Sequence, residues 1–407
     1  MRAGTMIRRA GWGVLIAVLL TAALWGLARI WPLSEAQRSA IAVMEQPSRF
    51  PGRNGYAVLW SLRYQVPEAQ LEAVLAEDAQ IMRRLAHSTP YLWDQSHEPA
   101  LARARYPEYR YSQSELDLFC PPLTSCLERV RSRPQAYREL IDRHAARLAR
   151  IESLNDYGHL DQPWPHTLAT HAFMPAMNDL RAPRTQHALL FVEGRRDEAL
   201  NASCRSLDTW RRLGSHSDSL LLKLMAMAIA AEYHGRQVAE MLAELPPGEP
   251  LPPGCEQALA PPTPAELSLC DALRGEFEFF AEPGLKPLGS GLQGWLFRAG
   301  YDPRRTRAFA AETMDWHCSE DALDAIAQDR PDAAPVRESS LTDRFTCLAN
   351  WHGCRAHPAG GSAYRDYLVR MLDHGLKLRA LATLAWLRQN HPASRRAWNC
   401  WRCGPRR

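Results

Sequence analysis

The sequence predicts an all-α protein that begins with a single membrane-spanning helix. Three observations support this fold class: an uncharged apolar run near the N-terminus, apolar residues that recur at helical spacing, and almost no alternation typical of β-strands. With 407 residues, of which 46% are hydrophobic, the chain is long enough for one large or two ordinary domains. We therefore expect a packed helical body after the apolar run.

The apolar run covers residues 10–28 and follows three arginines. About 20 apolar residues cross a bilayer as a helix, whereas a cleaved signal peptide has a shorter apolar region and a small-residue cleavage site. This run is longer than that and exits into Arg29, so residues 10–31 are predicted to be an uncleaved signal anchor. The positive-inside rule then places residues 1–9 in the cytoplasm and the rest of the chain in the periplasm, as a single-pass inner-membrane protein.

The charge pattern excludes an extended basic surface. The net charge is +4, lysine occurs only at Lys223, Lys286 and Lys377, and the arginines are interleaved with acidic residues, as in "GRRDEAL". A nucleic-acid-binding surface instead concentrates charge of one sign on one face. We expect no nucleic-acid partner. The expected partners are the membrane, through the anchor, and proteins or peptides of the cell envelope.

The chain contains ten cysteines, eight of them in its body. In an oxidising compartment disulfides are the default, and short spacings favour local bridges. The alternative is that these cysteines are reduced and buried. The expected partners are Cys120 with Cys126, Cys347 with Cys354, Cys255 with Cys270 across a proline-rich loop, and Cys204 with Cys318 over a long range.

Capping signals and apolar spacing place the first helices. Ser34 and Gln37 form a capping-box pattern ahead of a short helix that ends near Met44. Residues 67–86 carry one apolar stripe, interrupted at its centre only by Asp78. Farther along, Pro134 is predicted to separate a short helix from a long one that ends near Leu154.

Residues 184–245 predict a set of helix pairs. One helix ends near Gly194, a second ends near Leu213, Asp218 caps a third, and Gly235 interrupts the chain near a fourth. The small residues around the first turn are similar to those of a tetratricopeptide repeat (TPR). Because only one such unit is found, we expect TPR-like helix packing and not a repeat array.

The remaining pattern divides the chain into segments. Further helices are expected over 263–281, 304–314 and 319–328, and a hairpin of helices over 362–373 and 376–389. The expected domains are a cytoplasmic N-terminus (1–9), a transmembrane anchor (10–31), a helical lobe (32–245), a proline-rich linker (246–262), a second helical segment (263–389) and a disordered basic tail (390–407).

Two glycine- or cysteine-based motifs are weak. "GSGLQG" matches G-x-G-x-x-G at Gly289, Gly291 and Gly294, but no predicted strand precedes it, so we interpret it as a loop that enters a helix. Cys400 and Cys403 form a lone C-x-x-C, which supplies two of the four ligands of a structural zinc. Neither a cofactor nor a metal is expected.

One polar stretch, residues 152–171, gathers the residue types of acid–base chemistry. Its weak catalytic candidates are His159, Asp161 and His166. His166 and His171 lie five residues apart and therefore do not share a helix face as the two histidines of H-E-x-x-H do. A polar loop between helices is the alternative interpretation.

Four further stretches carry a likeness to known sequences: "NGYAVLWSL", "CLERVRSRPQAYRELIDRHAARLARIESL", "SDSLLLKLMAMAIA" and "HPAGGSAYRDYLVRMLDHGLKLRALATLAWLR". Together with the anchor, they resemble uncharacterised single-anchored helical proteins of gammaproteobacteria. The resemblance implies an inner-membrane protein that faces the periplasm, without an established activity or catalytic residue. In that group the chain usually continues past the last helix into further folded sequence, whereas this sequence turns into a short tail rich in Arg, Trp and Cys.

These observations favour a non-enzymatic scaffold or protein-interaction module of the cell envelope. A membrane-tethered envelope hydrolase with its site in residues 152–171 is the first alternative. An accessory component of a secretion or envelope machine is the second.

Overall fold

The computed structural model describes residues 2–88, 100–165, 179–246, 248–281, 291–335, 339–356 and 363–390. Over these ranges the protein is helical and contains no β-strand, which confirms the predicted all-α class. The α-helices are α1 (Arg2–Ile30), α2 (Glu35–Met44), α3 (Tyr56–Ser61), α4 (Leu71–Ser88), α5 (Gln113–Leu118), α6 (Cys126–Ser132), α7 (Pro134–Arg143), α8 (Ala145–Glu152), α9 (Ala182–Val192), α10 (Arg196–Ser215), α11 (Leu220–Ala228), α12 (Arg236–Glu244), α13 (Gly254–Ala258), α14 (Pro264–Leu267), α15 (Cys270–Ala281), α16 (Gly291–Ala299), α17 (Pro303–Met314), α18 (Glu320–Ala327), α19 (Leu341–Thr346), α20 (Trp351–Ala356) and α21 (Ala363–Asn390).

The N-terminal helix α1 contains a stretch, Gly11–Ile30, that is long and apolar enough to cross a membrane. Only 6% of this stretch is buried by the rest of the chain. A helix of 20 residues is about 30 Å long, the thickness of a hydrocarbon core. The predicted apolar helix is therefore present, and most of the side chains in this stretch are exposed, whereas Trp25, Ala28 and Arg29 near its end contact the body.

The helix α2 begins as predicted. The Ser34 hydroxyl accepts a hydrogen bond from the Gln37 backbone N–H, and the Gln37 side chain accepts one from the Ser34 N–H, both at 3.1 Å. This reciprocal capping box satisfies two donors that the helix itself leaves unpaired. However, Ala40 and Met44 pack into the second hydrophobic core and not into the helical lobe that precedes the linker.

The polar interruption of α4 explains how three elements meet. Asp78 is fully buried and accepts hydrogen bonds from the Trp60 indole N–H, at 2.8 Å, and from the Ala102 backbone N–H. The Arg103 guanidinium lies 3.5 Å from the centroid of the Trp60 ring. A buried carboxylate is stable only when such donors surround it. Asp78 thus ties α3 to α4 and to the turn at residues 102–105.

The body contains two hydrophobic cores, and the last helix belongs to both. The first core is built mainly from α3 to α13 and the second mainly from α2, α14, α15, α17 and α18. Along α21, Leu368 and Met371 enter the second core, whereas Leu378 and Leu381 enter the first. One continuous helix therefore joins the segments that the sequence separates by a proline-rich linker.

The predicted hairpin near residue 375 is wrong, because α21 runs without a break from Ala363 to Asn390. Gly375 is buried within the helix, and a Cβ at this position would lie 2.6 Å from the Leu267 Cδ1 atom. The glycine therefore permits close packing of α14 against the helix and does not mark a turn. It remains helical because the packing outweighs the modest helix-propensity cost of glycine.

Three other predicted helix boundaries are also corrected. The long helix after Pro134 is divided at His144, whose backbone leaves the helical region and whose ring bonds to Glu115 at 3.1 Å. Ser219, and not Asp218, caps α11, by accepting the Leu222 N–H. The expected helix at 263–281 consists of α14 and α15.

The expected break at Gly235 is a π-helical segment, Ile229–Gly235, that joins α11 to α12. Gly235 itself has helical dihedral angles, and a Cβ there would lie 3.1 Å from the Ala230 carbonyl oxygen. A π-helical turn widens the helix without ending it. The chain therefore forms one long, locally widened helix where two were expected.

The turn between α9 and α10 follows the prediction. Gly194 has a φ of +90°, which side chains with a Cβ rarely adopt. Ala188 and Ala199, one on each helix, are fully buried where α9 packs on α10. Small residues let the two helices approach closely.

Four disulfides lie in the part of the chain that the structure describes, and two of them are those that the sequence predicts, Cys120–Cys126 and Cys347–Cys354. The expected pairs Cys255–Cys270 and Cys204–Cys318 are wrong. The structure pairs Cys204 with Cys255 and Cys270 with Cys318, at Cα–Cα distances of 4.9 and 4.6 Å. Disulfides need Cα atoms within about 7 Å, and the packing of α13 on α10 brings Cys255 to Cys204, not to its neighbour in sequence.

Candidate functional site

The histidine and aspartate candidates of the 152–171 stretch separate in the structure. The His159 ring lies 5.5 Å from the Phe50 ring, and its Nδ1 atom is 3.1 Å from the Pro51 carbonyl oxygen. Asp161 instead lines a cleft of about 680 Å³ between the two cores. His166 lies outside the described residues. Of the described pair, only Asp161 faces this cleft.

The cleft containing Asp161 has a mixed charge. Arg83, Arg274 and Arg307 line it, but Arg83 donates to the Pro163 carbonyl at 2.8 Å, and Arg307 pairs with Glu45 at 2.5 Å. The Arg83 and Arg307 guanidinium groups are thus occupied by protein partners on their own side of the cleft. The cleft is best described as a seam with α2 and α17 on one side and the first core on the other.

A serine, a histidine and a glutamate meet inside the first core, a feature that sequence reasoning missed. The Ser203 hydroxyl lies 3.3 Å from Nδ1 of His187, and Nε2 of His187 lies 2.9 Å from Glu152. Catalytic triads need the serine on a surface that substrate can reach. Ser203 and His187 are fully buried. We therefore interpret this trio as a hydrogen-bond network that holds α8, α9 and α10 together.

The surroundings of the trio also shift the pKa of its carboxylate, Glu152. Burial is the largest influence and would raise the pKa of Glu152, but the hydrogen bond from His187 and the charges of His187 and Arg205 together outweigh it, so the pKa is lowered. Next to it, His234 is fully buried, and burial lowers its pKa well below the usual value. A neutral His234 beside a His187–Glu152 pair fits a structural core.

Lys223, on α11, is a cation buried inside the protein. Its ammonium donates to the carbonyl oxygens of Gly214, at 3.0 Å, and Glu266, at 3.2 Å. Burial lowers its pKa to about 8, opposed by the carboxylates of Asp271 and Glu266. A lowered lysine pKa is typical of nucleophilic lysines, but this side chain is only 1% exposed. Its role is therefore to cross-link α10, α11 and α14.

We expect the Lys223→Met variant to lose a pH dependence of stability that the native protein shows. The folded pKa lies near 8 and the ordinary value is 10.5, so the unfolded chain binds more protons between these values and stability rises with pH there. From pH 8 to 9.5 the rise is about 2 kcal/mol. Urea unfolding at both pH values measures it.

The matched control for this variant is Lys377→Met, whose side chain is 45% exposed. The Lys377→Met variant should keep the rise in the free energy of unfolding from pH 8 to 9.5, because Lys223 remains. If Lys223→Met showed the same rise in stability from pH 8 to 9.5 as the native protein, Lys223 would not be its source.

A surface groove of about 690 Å³ lies between the proline-rich segment and the last helix. We call it the proline–tryptophan groove. Trp386 is 53% exposed in it, whereas Leu259 and Ala385 form a buried floor. Its lining residues are Leu251, Pro252, Pro253, Cys255, Glu256, Leu259, Pro261, Arg379, Ala382, Thr383, Ala385, Trp386 and Gln389.

The walls of the groove are held rigidly. The Cys204–Cys255 disulfide fixes the proline-rich wall to α10, and a Cβ on Gly254 would lie 2.5 Å from the Asn201 side chain. On the other wall, the buried Arg388 guanidinium donates to the carbonyl oxygens of Leu242 and Pro246. A preformed groove loses little entropy when it binds.

Sequence reasoning missed this groove because it interpreted residues 246–262 as a linker. The available signal was the combination of a cysteine within the proline-rich segment and Trp386 on the polar face of the last helix, beside Thr383 and Gln389. Among the described residues, no group of three or more His, Cys, Asp and Glu side chains is arranged to hold a metal ion.

Over its described residues this is an all-α protein with an N-terminal helix long and apolar enough to cross a membrane and a groove on its body that has an apolar floor and a polar rim. Comparisons with protein-family models, with curated proteins and with solved structures found no match.

Proposed function

We propose that this protein is a membrane-anchored helical scaffold of the cell envelope that holds an extended peptide segment of a partner protein in the proline–tryptophan groove. The exposed Trp386 in a groove with rigid walls is the observation that carries this proposal. Exposed aromatic side chains in preformed pockets are typical anchors of protein recognition. The body would then face the periplasm, with α1 in the inner membrane.

The compartment is supported by two independent features. Four disulfides cross-link the body, which favours an oxidising compartment. Arg2, Arg8 and Arg9 precede the apolar stretch, which favours a cytoplasmic N-terminus. TPR-like packing of α9 and α10 would suit a scaffold and belongs to the same proposal.

The orientation is tested with reporters fused after Asn390. Alkaline phosphatase, which folds only where disulfides form, is expected to be active, and a cytoplasm-dependent fluorescent reporter is expected to be dark. The reverse pattern would contradict a periplasmic body.

The groove itself favours an extended, mainly apolar peptide. Its floor and the flanking prolines are apolar, and Glu256 and Gln389 offer polar groups along the rim, whereas Arg379 is paired with Asp329 at 2.7 Å. Polar groups at the rim can pair with a peptide backbone while the centre excludes water. The buried position of Ser203 makes the core trio a poor candidate for a hydrolase site, which favours the scaffold.

The Trp386 side chain is expected to contribute strongly to peptide binding. A photo-crosslinking residue at position 386 should capture a defined segment of a partner in intact cells, and mass spectrometry identifies that segment. The corresponding synthetic peptide should then bind the purified protein, and Trp386→Ala should weaken binding about tenfold or more.

Leu123 is the matched control, since it is 70% exposed and lies outside the groove. Neither a crosslinking residue at position 123 nor Leu123→Ala should affect this peptide. Equal binding by the native protein and Trp386→Ala would exclude the groove as the site.

A further inference from the structure

Helix α16 presents apolar side chains to the outside on one face. Leu292, Trp295 and Leu296 are 72%, 58% and 46% exposed, whereas Gly294 faces inward and is buried. Their spacing of i, i+3 and i+4 places the three side chains on the same face of the helix. Soluble surfaces rarely expose such a group without a partner.

A second apolar group lies on a segment that contacts the end of α16. Leu341, Leu348 and Trp351, from α19 to the start of α20, are 83%, 49% and 43% exposed. The two segments are joined, because the His352 N–H donates to the Gly300 carbonyl at 3.0 Å and the His352 ring stacks on the Phe297 ring. We call these six exposed side chains the apolar apron.

The end of α1 is bound to the apron segments. The Trp25 indole N–H donates to the Ala299 carbonyl at 2.9 Å, and Arg29 donates to the Tyr301 carbonyl at 2.8 Å. The Trp31 ring lies 5.4 Å from the Phe345 ring, edge to face. Both halves of the apron thus lie beside the last turns of the apolar helix.

These contacts define how deep the end of α16 lies in a bilayer that α1 crosses. Trp25 lies within the apolar stretch Gly11–Ile30, five residues before its end. Five residues correspond to about 7.5 Å along a helix, and each interfacial layer of a bilayer is about 5–7 Å thick. If Gly11–Ile30 spans the hydrocarbon core, Ala299, hydrogen-bonded to Trp25, therefore lies about 7.5 Å inside its boundary, within the roughly 5–10 Å to which interfacial helices bury their apolar face.

The charge around the apron suits the same environment. Residues 291–306 and 341–356 contain five arginines and two aspartates, and Arg298, Arg344 and Arg355 are exposed. Of the aspartates, Asp302 is buried as the N-cap of α17. Exposed arginines beside apolar and tryptophan side chains are typical of helices that lie in the membrane interface.

We propose that α16, together with α19 and the start of α20, lies in the interfacial layer of the bilayer on the side where α1 ends, as a second membrane contact of the body. The occupant of the apron is the phospholipid surface itself. This inference depends on the proposed membrane anchoring but not on the peptide groove. Two contacts would fix the orientation of the body relative to the membrane, which one helix alone would not.

The test uses the full chain in nanodiscs of phosphatidylcholine and phosphatidylglycerol, with and without a lipid that carries a doxyl quencher, placed near the headgroup for the apron probes and midway along the acyl chain for the probe in α1. A small fluorescent amino acid replaces Leu292 in one sample and Leu123 in another, since these side chains are equally exposed, at 72% and 70%. A third sample carries the probe at Val18, inside the apolar stretch.

The probe at Leu292 is expected to lose about half of its fluorescence or more to the quencher, whereas the probe at Leu123 keeps its fluorescence. A second apron probe, at Leu341, should behave like the one at Leu292 and guards against a local effect of one substitution. Quenching at Val18 reports that α1 is inserted.

Other outcomes would overturn the inference. If Val18 is quenched and the apron probes are not, the second contact is wrong, whereas the anchor of the proposed function stands. If Val18 is not quenched, the anchor fails and the second contact fails with it. If the apron probes become shielded only as more chains occupy each disc, a second copy covers the apron and the lipid assignment is wrong.

Discussion

Replacing both Cys204 and Cys255 by alanine is expected to lower the free energy of unfolding by about 4 kcal/mol. The disulfide closes a separation of 51 residues, and the loss of unfolded-chain entropy grows with the length of the closed loop. Urea unfolding under non-reducing conditions measures the change. Because Cys255 also lines the groove, the variant should bind the partner peptide more weakly.

The matched control is the double replacement of Cys120 and Cys126 by alanine. All four cysteines are completely buried, so each double variant removes the same buried atoms. The Cys120–Cys126 separation is only 6 residues, and the expected loss is about 2 kcal/mol. Equal losses in the two variants would show that the loop-entropy argument does not describe this protein.

Replacing Asp179 by leucine is expected to lower the free energy of unfolding by about 3–5 kcal/mol, because it leaves Arg147 charged and buried without a carboxylate. The two side chains form an ion pair and are only 3% and 2% exposed. The guanidinium also lies 4.3 Å from the centroid of the Tyr111 ring. Chemical denaturation of the two proteins gives the difference.

A double variant, Arg147→Met with Asp179→Leu, separates the ion pair from simple packing. An apolar pair of similar size is often as stable as a buried ion pair. The double variant should therefore recover most of the stability that Asp179→Leu alone loses. If it is as unstable as the single variant, the loss comes from packing around Asp179 and not from the unpaired Arg147.

An exposed pair provides the reference for both variants. Glu77 and Arg105 form an ion pair with side chains 52% and 60% exposed. Exposed ion pairs contribute about 0–1 kcal/mol. Glu77→Ala should therefore change the stability far less than Asp179→Leu.

Local signals in the sequence identified the features that depend on a few neighbouring residues. The capping box at Ser34, the apolar stripe around Asp78 and the turn at Gly194 all rely on contacts within one or two helical turns. The two short disulfide loops belong to the same group, since residues six or seven apart meet almost wherever the chain turns.

Features that depend on packing between distant residues could not be predicted from local signals in the sequence. Gly375 looks like a helix end in sequence, and only the approach of Leu267 explains why it lies inside a helix. Asp78 looks like an interruption, and only the Trp60 and Ala102 donors explain it. Glycine and buried acids have several possible roles, and the neighbour in space decides between them.

The candidate sites follow the same division. Asp161 was identified from residue type and does line a cleft, but its separation from His159 follows from the position of residues 50–51. The proline–tryptophan groove and the apolar apron each combine segments that are far apart in sequence. The spacing of residues along the chain does not show which distant segments contact each other in the fold.

By itself, the sequence determined that this protein is helical, that it has one N-terminal helix apolar enough for a membrane, and where many of its helices begin. Periodicity, apolar length and capping are properties of adjacent residues, so the sequence displays them directly. Only the tertiary structure decided how Cys204, Cys255, Cys270 and Cys318 pair, how α21 joins two cores, and which surfaces remain open. These features depend on which distant apolar faces pack against each other. The sequence does not decide this, because many pairings of faces fit the same local pattern.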